Sequence, residues 1–167
     1  MIVPISQVDK KLIGAFDCGI KELNTFFTRY AFQNDKKNVG KTFVCLDDEK
    51  VIGFYTLSNA QIGYEDLSED LRHSLPRYPI PCIRIARLAV DSYYKEKGYG
   101  KALLRDALEK IVVVSELTGI YFILVDAKDT SASFYEHYGF IKLDSDSLSY
   151  ILPVKTVQKA LRNKDAI

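Results

Sequence analysis

The stretch RLAVDSYYKEKGYGKALL, residues 87–104, decides the architecture of this chain. It starts within an apolar segment, Ile83 to Val90, that predicts a strand covered on both faces. A short polar loop with Gly98 and Gly100 follows, and a long helical pattern begins at once. Glycine lets a backbone approach a ligand closely, and the first turn of a helix presents unpaired N–H groups at the positive end of its dipole. The stretch therefore predicts an anion site suited to a pyrophosphate, and its lysines add positive charge.

The spacing of these glycines differs from that of the common nucleotide-binding motifs. A P-loop needs Gly-x-x-x-x-Gly-Lys followed by Ser or Thr, and this sequence has no such run. Gly98-x-Gly100 lacks the third glycine of the dinucleotide fingerprint, and no predicted strand lies immediately before it. By itself, Gly-x-Gly ahead of a helix fits equally well a helix start in which glycines permit tight packing. The surrounding sequence therefore has to decide the ligand.

Hydrophobic periodicity predicts helices alternating with strands along the rest of the chain. Helices are predicted at residues 20–34, 68–75, 99–118, 131–138 and 154–162, and strands at residues 42–46, 51–57, 83–90, 121–125, 140–143 and 149–152. Residues 47–50 should form a hairpin turn, and the prolines at residues 76–81 should hold that segment extended. This order predicts a layered α/β (α+β) domain with a mixed central sheet flanked by helices. Nothing in the sequence indicates a second domain, so residues 1–167 are predicted to form one.

Composition places the chain among ordinary globular proteins, with 47% hydrophobic and 27% charged residues over 167 positions. No apolar run approaches the ~20 residues of a membrane span, and the N-terminus lacks the layout of a signal peptide, so we expect a soluble cytoplasmic protein. Cys18, Cys45 and Cys82 are widely spaced, which predicts free thiols and no metal site. The net charge of +1 neither requires nor excludes a polyanionic partner.

Two landmarks resemble those of the GNAT N-acetyltransferases. The succession of a strand, KEKGYGKA at residues 95–102 and a helix resembles their acetyl-CoA motif, Gln/Arg-x-x-Gly-x-Gly/Ala. Lys95 departs from the usual first residue but keeps a donor and a positive charge. Downstream, FYEHYGF at residues 134–140 resembles the second landmark, a Phe/Leu-Tyr pair followed by Gly-Phe. Both occur in the family's order with a helix and a strand between them, which implies the GNAT fold over nearly the whole chain and acetyl-CoA as the cofactor.

The resemblance also implies how acetyl-CoA binds. The central strand ending at Val90 and the strand at residues 121–125 should splay apart, with the pantetheine arm between them. A backbone N–H there should face the thioester oxygen and stabilise the oxyanion of the tetrahedral intermediate. Tyr135 should act as general acid for the departing thiolate, although a core aromatic is the alternative interpretation. The cofactor-binding residues implied are Leu88, Ala89, Val90, Lys95, Lys97, Gly98, Tyr99, Gly100, Lys101, Ala102 and Phe134.

A narrower resemblance concerns the acceptor. Residues 16–26 (FDCGIKELNTF), 41–44 (KTFV), 75–81 (LPRYPIP), 87–90 (RLAV) and 125–127 (VDA) resemble GNAT toxins of bacterial type II toxin–antitoxin modules. Members of that family acetylate the α-amino group of aminoacyl-tRNA, are often dimers, and are neutralised by a DNA-binding antitoxin, commonly of ribbon–helix–helix type. The resemblance implies the same substrate, a homodimer and such an antitoxin for this chain. Binding of tRNA needs a surface that tracks phosphates, and the candidate residues are Lys36, Lys37, Lys41, Arg77, Arg84 and Arg87.

Two alternatives remain open at this point: a GNAT enzyme acting on a small-molecule or protein amine, and a non-catalytic acyl-CoA-binding module. The intact loop at residues 95–102 and Tyr135 favour catalysis over the second. No general base is evident, which suits an α-amine, since its pKa is about 7.7–8.0 against about 10.4 for lysine. An aminoacyl ester should have a lower pKa still, so this acceptor asks little of the enzyme.

Overall fold

Strands and helices alternate along the chain in this computed structural model, which describes residues 1–127, 129–144 and 147–163. The strands are β1 (Ile2–Pro4), β2 (Lys41–Asp47), β3 (Lys50–Ile62), β4 (Ile80–Val90), β5 (Phe122–Asp126), β6 (Ile141–Lys142) and β7 (Ser149–Pro153). The α-helices are α1 (Lys10–Ile13), α2 (Lys21–Thr25), α3 (Ala31–Lys36), α4 (Glu69–Arg72), α5 (Tyr99–Ser115), α6 (Asp129–His137) and α7 (Val154–Asn163). Within the described residues the strands form one mixed sheet in the order β1-β2-β3-β4-β5-β7-β6. The predicted α/β class with a mixed sheet is confirmed.

The chain forms two compact units, and each is built from two separate segments. Unit 1 comprises residues 1–58 and 86–107. Unit 2 comprises residues 59–85 and the described chain from residue 108 onwards. The elements β3, β4 and α5 each contribute residues to both units. The prediction of a single domain over residues 1–167 stays a prediction.

Unit 1 is organised around an antiparallel hairpin and a cluster of aromatic rings. β2 pairs with β3 from Lys41↔Leu57 to Asp47↔Lys50, so the predicted hairpin turn is confirmed. The rings of Phe27 and Phe54 stack with centroids 4.4 Å apart, and Phe16 meets Phe27 edge-on at 4.9 Å. Aromatic pairs in these geometries add to the free energy already gained by burying the rings. The cluster fixes the N-terminal helices on the first part of the sheet.

The helix predicted at residues 20–34 is present but irregular. α2 is followed by a π-helical segment, Phe26–Tyr30, and then by α3. The wider π turn shifts the phase of the helix, so that Phe26 and Phe27 are both buried while Tyr30 is exposed. β1 and α1 were not predicted, since each has fewer residues than a periodic pattern needs.

Unit 2 is organised around β5. β4 pairs with β5 in parallel from Cys82↔Phe122 to Ile85↔Val125, and β7 pairs antiparallel with β5 and β6. β4 starts earlier than predicted, at Ile80, because the proline-rich segment is already extended. The predicted helix at residues 68–75 is only the short α4, and the strand predicted at residues 140–143 is the short β6. Gly139 ends the turn after α6 with φ of 93°.

The helices of the described residues are all too short or too polar to cross a membrane.

Candidate active site

The loop that follows β4 in unit 1 has the backbone geometry expected of an anion-binding turn. A 3-10 turn at Ser92–Tyr94 leads into Lys95, and two left-handed residues follow, Glu96 with φ of 62° and Gly98 with φ of 88°. No heavy atom lies within 4 Å of a Cβ built on Gly98, so this position needs glycine for its φ and not for space. α5 begins at the next residue, and the N–H groups of its first turn have no acceptor within the helix. The loop therefore leaves the backbone N–H groups at the N-terminus of α5 exposed, which suits a pyrophosphate.

The lysines of this loop differ in what they contact. The ammonium of Lys95 donates to the backbone carbonyl of Cys18 at 2.8 Å. Lys97 lies over the rings of Tyr93 and Tyr94, with Nζ 4.9 and 5.7 Å from the centroids, and Lys101 is exposed on the first turn of α5. Lys97 and Lys101 place positive charge beside the loop, whereas Lys95 is bonded to the protein itself.

The predicted pantetheine strand, Leu88 to Val90, lies against β3 near its start, at Ile52 and Gly53. A Cβ built on Gly53 would be 2.6 Å from the Ala89 carbonyl oxygen and 2.8 Å from Leu103 Cδ1. The backbone N–H of Asp91 donates to the carbonyl of Ile52 at 2.7 Å. Because only a hydrogen fits at Gly53, the two strands approach closely at this point. Leu88 and Val90 are half-buried, while Ala89 is buried.

Tyr135 lies on α6 in unit 2, with 6% of its surface exposed. Its ring meets Phe134 and Phe140 at centroid distances of 5.1 and 5.4 Å. Burial raises the pKa of the phenol well above its ordinary value, so the hydroxyl stays protonated throughout the neutral range. The neighbouring Glu136 accepts a hydrogen bond from the Tyr150 hydroxyl at 2.9 Å, which ties α6 to β7. Tyr135 is therefore a neutral phenol on a helix that is hydrogen-bonded to β7.

These elements match a known family. The model of the acetyltransferase (GNAT) domain matches residues 38–142, which contain the loop, β4, β5 and Tyr135. The chain is a member of the GNAT acetyltransferase family.

The relatives of this GNAT protein include toxins. It is 32% identical over 152 residues to a tRNA-acetylating toxin of Mycobacterium tuberculosis, covering 90% of both chains. It is 32% identical over 158 residues to a probable toxin TacT of Sinorhizobium fredii, covering 88% of this chain and 87% of the relative. A crystal structure of a mutant of KacT superposes with a TM-score of 0.87 at 27% identity, over 96% of this chain and 98% of that one. The predicted resemblance to GNAT toxins is confirmed.

The basic residues predicted to bind tRNA fall in both units of the GNAT chain. In unit 1, Lys36 and Lys37 are exposed at the end of α3, and Lys41 donates to the Asp35 carbonyl at 3.1 Å. Arg87, also in unit 1, places its guanidinium carbon 3.7 Å from the centroid of Phe26, the first residue of the π segment. Burial lowers the pKa of Arg87. Their role in binding tRNA stays a prediction.

Unit 2 carries the other two of these residues. Arg77 is exposed before β4. Arg84 Nε lies 3.7 Å from Asp126 Oδ2, and Asp126 Oδ1 accepts from the Ser149 hydroxyl at 2.8 Å. Arg84 Nε is buried and has no hydrogen-bond acceptor among the described residues. The structure thus places Arg84 beside an acidic side chain at the end of β5, whereas Arg77 faces solvent.

The sequence did not reveal how the motif at residues 16–26 acts in this GNAT chain. In the structure, Asp17 and Asn24 bond to each other and to the backbone around Cys18 and Gly19. A possible signal was the pairing of Asp and Asn around a glycine, because short polar side chains favour such backbone bonds in turns.

Proposed function

We propose that this protein transfers the acetyl group of acetyl-CoA to the α-amino group of aminoacyl-tRNA, as the toxin of a toxin–antitoxin module. The observation that carries the proposal is its 32% identity to a tRNA-acetylating toxin over 90% of both chains. The backbone of the loop at residues 95–102 supports it, because the turn and the start of α5 suit a diphosphate. In this proposal the pantetheine bonds to the backbone of Leu88, Ala89 and Val90, and Phe134 lines the coenzyme site.

The chemistry follows from a neutral amine and a thioester. The amine nitrogen attacks the thioester carbonyl carbon, a C–N bond forms, and the negative charge moves to the carbonyl oxygen, where a backbone N–H stabilises it. The C–S bond then breaks, and Tyr135 protonates the thiolate. The amine's surplus proton leaves to solvent, and the phenolate takes a proton back. Burial of Tyr135 favours this last step, since burial destabilises the charged phenolate.

The acceptor and the partners follow from the same relationship. A free α-amine with a pKa near 8 is about one-tenth deprotonated at pH 7, and the lower pKa of an aminoacyl ester makes its neutral fraction larger, which fits a site without an evident general base. We place the enzyme in the cytoplasm, where charged tRNA is used. We also propose a homodimer and a DNA-binding antitoxin, commonly ribbon–helix–helix, as its partners. Light scattering of the purified protein measures the dimer directly, and a purely monomeric particle would contradict it.

The test is acetyl transfer from labelled acetyl-CoA to a mixture of charged tRNAs. Wild type should label the aminoacyl group, and tRNA whose amino group is already formylated should take no label. Tyr135→Phe should lower kcat by roughly 10²- to 10⁴-fold, the usual contribution of a general acid. Tyr138→Phe is the matched control, because Tyr138 is a half-buried tyrosine on the adjacent turn.

The outcomes separate the candidate functions. Labelling of small or protein amines without labelling of any charged tRNA would favour the first alternative and refute the toxin proposal. Binding of acetyl-CoA with no transfer to any amine would favour a binding module. Equal rates for wild type and Tyr135→Phe would remove Tyr135 from the mechanism while leaving the activity in place.

A further inference from the structure

Residues 17–24, part of the motif at residues 16–26, form hydrogen bonds within unit 1 to the segment that leads into the loop at residues 95–102, the coenzyme loop. The Asp17 N–H donates to Asp91 Oδ2 at 3.1 Å, and the Ser92 N–H donates to the Asp17 carbonyl at 2.9 Å. The Lys95 ammonium donates to the Cys18 carbonyl at 2.8 Å. These bonds join positions that are more than 70 residues apart in sequence. Lys95, which makes the last of them, is three residues before Gly98.

The conformation of the motif is fixed by its own side chains. Asp17 Oδ1 accepts from the Gly19 N–H and from Asn24 Nδ2, both at 2.8 Å. Asn24 Oδ1 accepts from the Cys18 N–H at 2.9 Å. Gly19 has φ of 83°, a conformation that strongly favours glycine. Asp17 thus holds the Cys18–Gly19 peptide, whose carbonyl accepts from Lys95, and Asn24 holds both Asp17 and the preceding peptide.

The charges of the network agree with this arrangement. The Gly19 N–H and Asn24 hold the pKa of Asp17 below its ordinary value, and Lys95 lowers it further. Asp91 Oδ1 also accepts from the Tyr93 N–H at 3.0 Å and so caps the 3-10 turn that precedes Lys95. The side chains of Asp17 and Asn24 are therefore both used to shape the backbone that meets the loop.

We infer that Asp17, Cys18, Gly19 and Asn24 form a latch that holds the coenzyme loop in its acetyl-CoA-binding conformation, with Lys95 as a positioning residue. The inference rests on the proposed binding of acetyl-CoA to that loop. In this arrangement the Lys95 ammonium bonds to the Cys18 carbonyl, and the diphosphate is bound by backbone N–H groups, Lys97 and Lys101. A loop that is already ordered costs less entropy when the coenzyme binds.

The test measures acetyl-CoA binding by calorimetry on the full-length protein. Asn24→Asp removes the donor to Asp17 and sets two carboxylates against each other at a site that does not touch the loop. We expect it to weaken acetyl-CoA binding by roughly tenfold, because a loop that is competent a tenth of the time binds a tenth as well. Lys95→Met should have a similar effect, and Lys95→Arg should largely restore binding because it keeps a donor for the Cys18 carbonyl. Asn34→Asp makes the same charge change in α3 and should bind as wild type does.

Two further readouts distinguish a latch from a general loss of structure. The KM for acetyl-CoA should rise while kcat at saturating acetyl-CoA and the KM for charged tRNA stay within about twofold. The double variant Asn24→Asp/Lys95→Met should lose less affinity than the two single losses multiplied, because both changes break the same unit.

The results separate this inference from the proposed function. Failure of wild type to bind acetyl-CoA would refute the proposed function itself. Wild-type affinity in Asn24→Asp would overturn the latch, and so would losses that multiply fully in the double variant, since Lys95 would then act on the diphosphate independently.

Discussion

Gly53→Ala tests the close approach of β3 to the predicted pantetheine strand. The added Cβ would lie 2.6 Å from the Ala89 carbonyl oxygen and 2.8 Å from Leu103 Cδ1, whereas real Cβ contacts almost never fall below 3.0 Å. Leu103 can rotate, but the Ala89 oxygen is backbone and is fixed by the sheet. Relieving the contact requires the strands to separate by roughly half an ångström or more, since carbon packs best at about 3.5–4.0 Å.

The expected cost is that of overpacking a buried site, about 1–3 kcal/mol of the free energy of unfolding. For a chain of this size, that lowers the melting temperature by roughly 2–12 °C. Urea denaturation followed by circular dichroism measures it. Gly14→Ala is the matched control, because Gly14 has φ of −63° and no heavy atom lies within 4 Å of a Cβ built there. That control should be stabilised by about 0.4–1 kcal/mol.

Gly53→Ala should also weaken acetyl-CoA binding, since the Ala89 carbonyl moves with its strand. A Gly53→Ala protein as stable as wild type would show that the strands do not approach as described. A destabilised protein with unchanged affinity would show instead that the pantetheine does not use this backbone.

Two further predictions concern buried polar groups. The hydroxyls of Thr42 and Thr56 lie 2.7 Å apart in the core, so Thr42→Val should cost about 1–3 kcal/mol by leaving Thr56 without this partner, while the double Val variant should recover most of the loss in denaturant titrations. Full additivity of the two changes would contradict this coupling. Burial raises the pKa of the Cys82 thiol to about 11, whereas the unfolded thiol ionises near 9.0. The unfolded state therefore binds fewer protons between these pH values, and stability should fall as pH rises from 9 to 11. Cys82→Ala should flatten that decline, and an unchanged slope would exclude this thiol as its source.

The sequence predicted the elements that are long and periodic. α5 and β5 are found close to their predicted bounds, because their apolar positions repeat over several turns or form one continuous run. The sequence could not predict β1, which is held by pairing with the distant strand β2, and it predicted β6 with four residues where the structure has two. It also placed a regular helix where the π segment at Phe26–Tyr30 lies.

For the candidate site, the sequence proposes residues whose roles stay predictions, and it does not give the contacts that those residues make. The loop glycines and Tyr135 could be named from spacing and resemblance, since their chemistry depends on local sequence. The partner of Lys95 could not, because the Cys18 carbonyl is a backbone atom 77 residues away and carries no side-chain signal. The contact between Arg87 and the Phe26 ring could not be predicted either, because Phe26 has the pattern of an ordinary apolar helix position.

The interleaving of the two units has a consequence for swapping parts between relatives. Because unit 1 takes residues 1–58 and 86–107, no single cut in the gene yields either unit intact. A chimaera joined between residues 58 and 86 would keep the aromatic cluster whole but would combine residues 1–58 of one relative with residues 86–107 of another. Exchanging one whole unit between relatives therefore calls for three crossovers, near residues 58, 85 and 107, so that each recombined protein inherits complete sets of mutually fitted side chains.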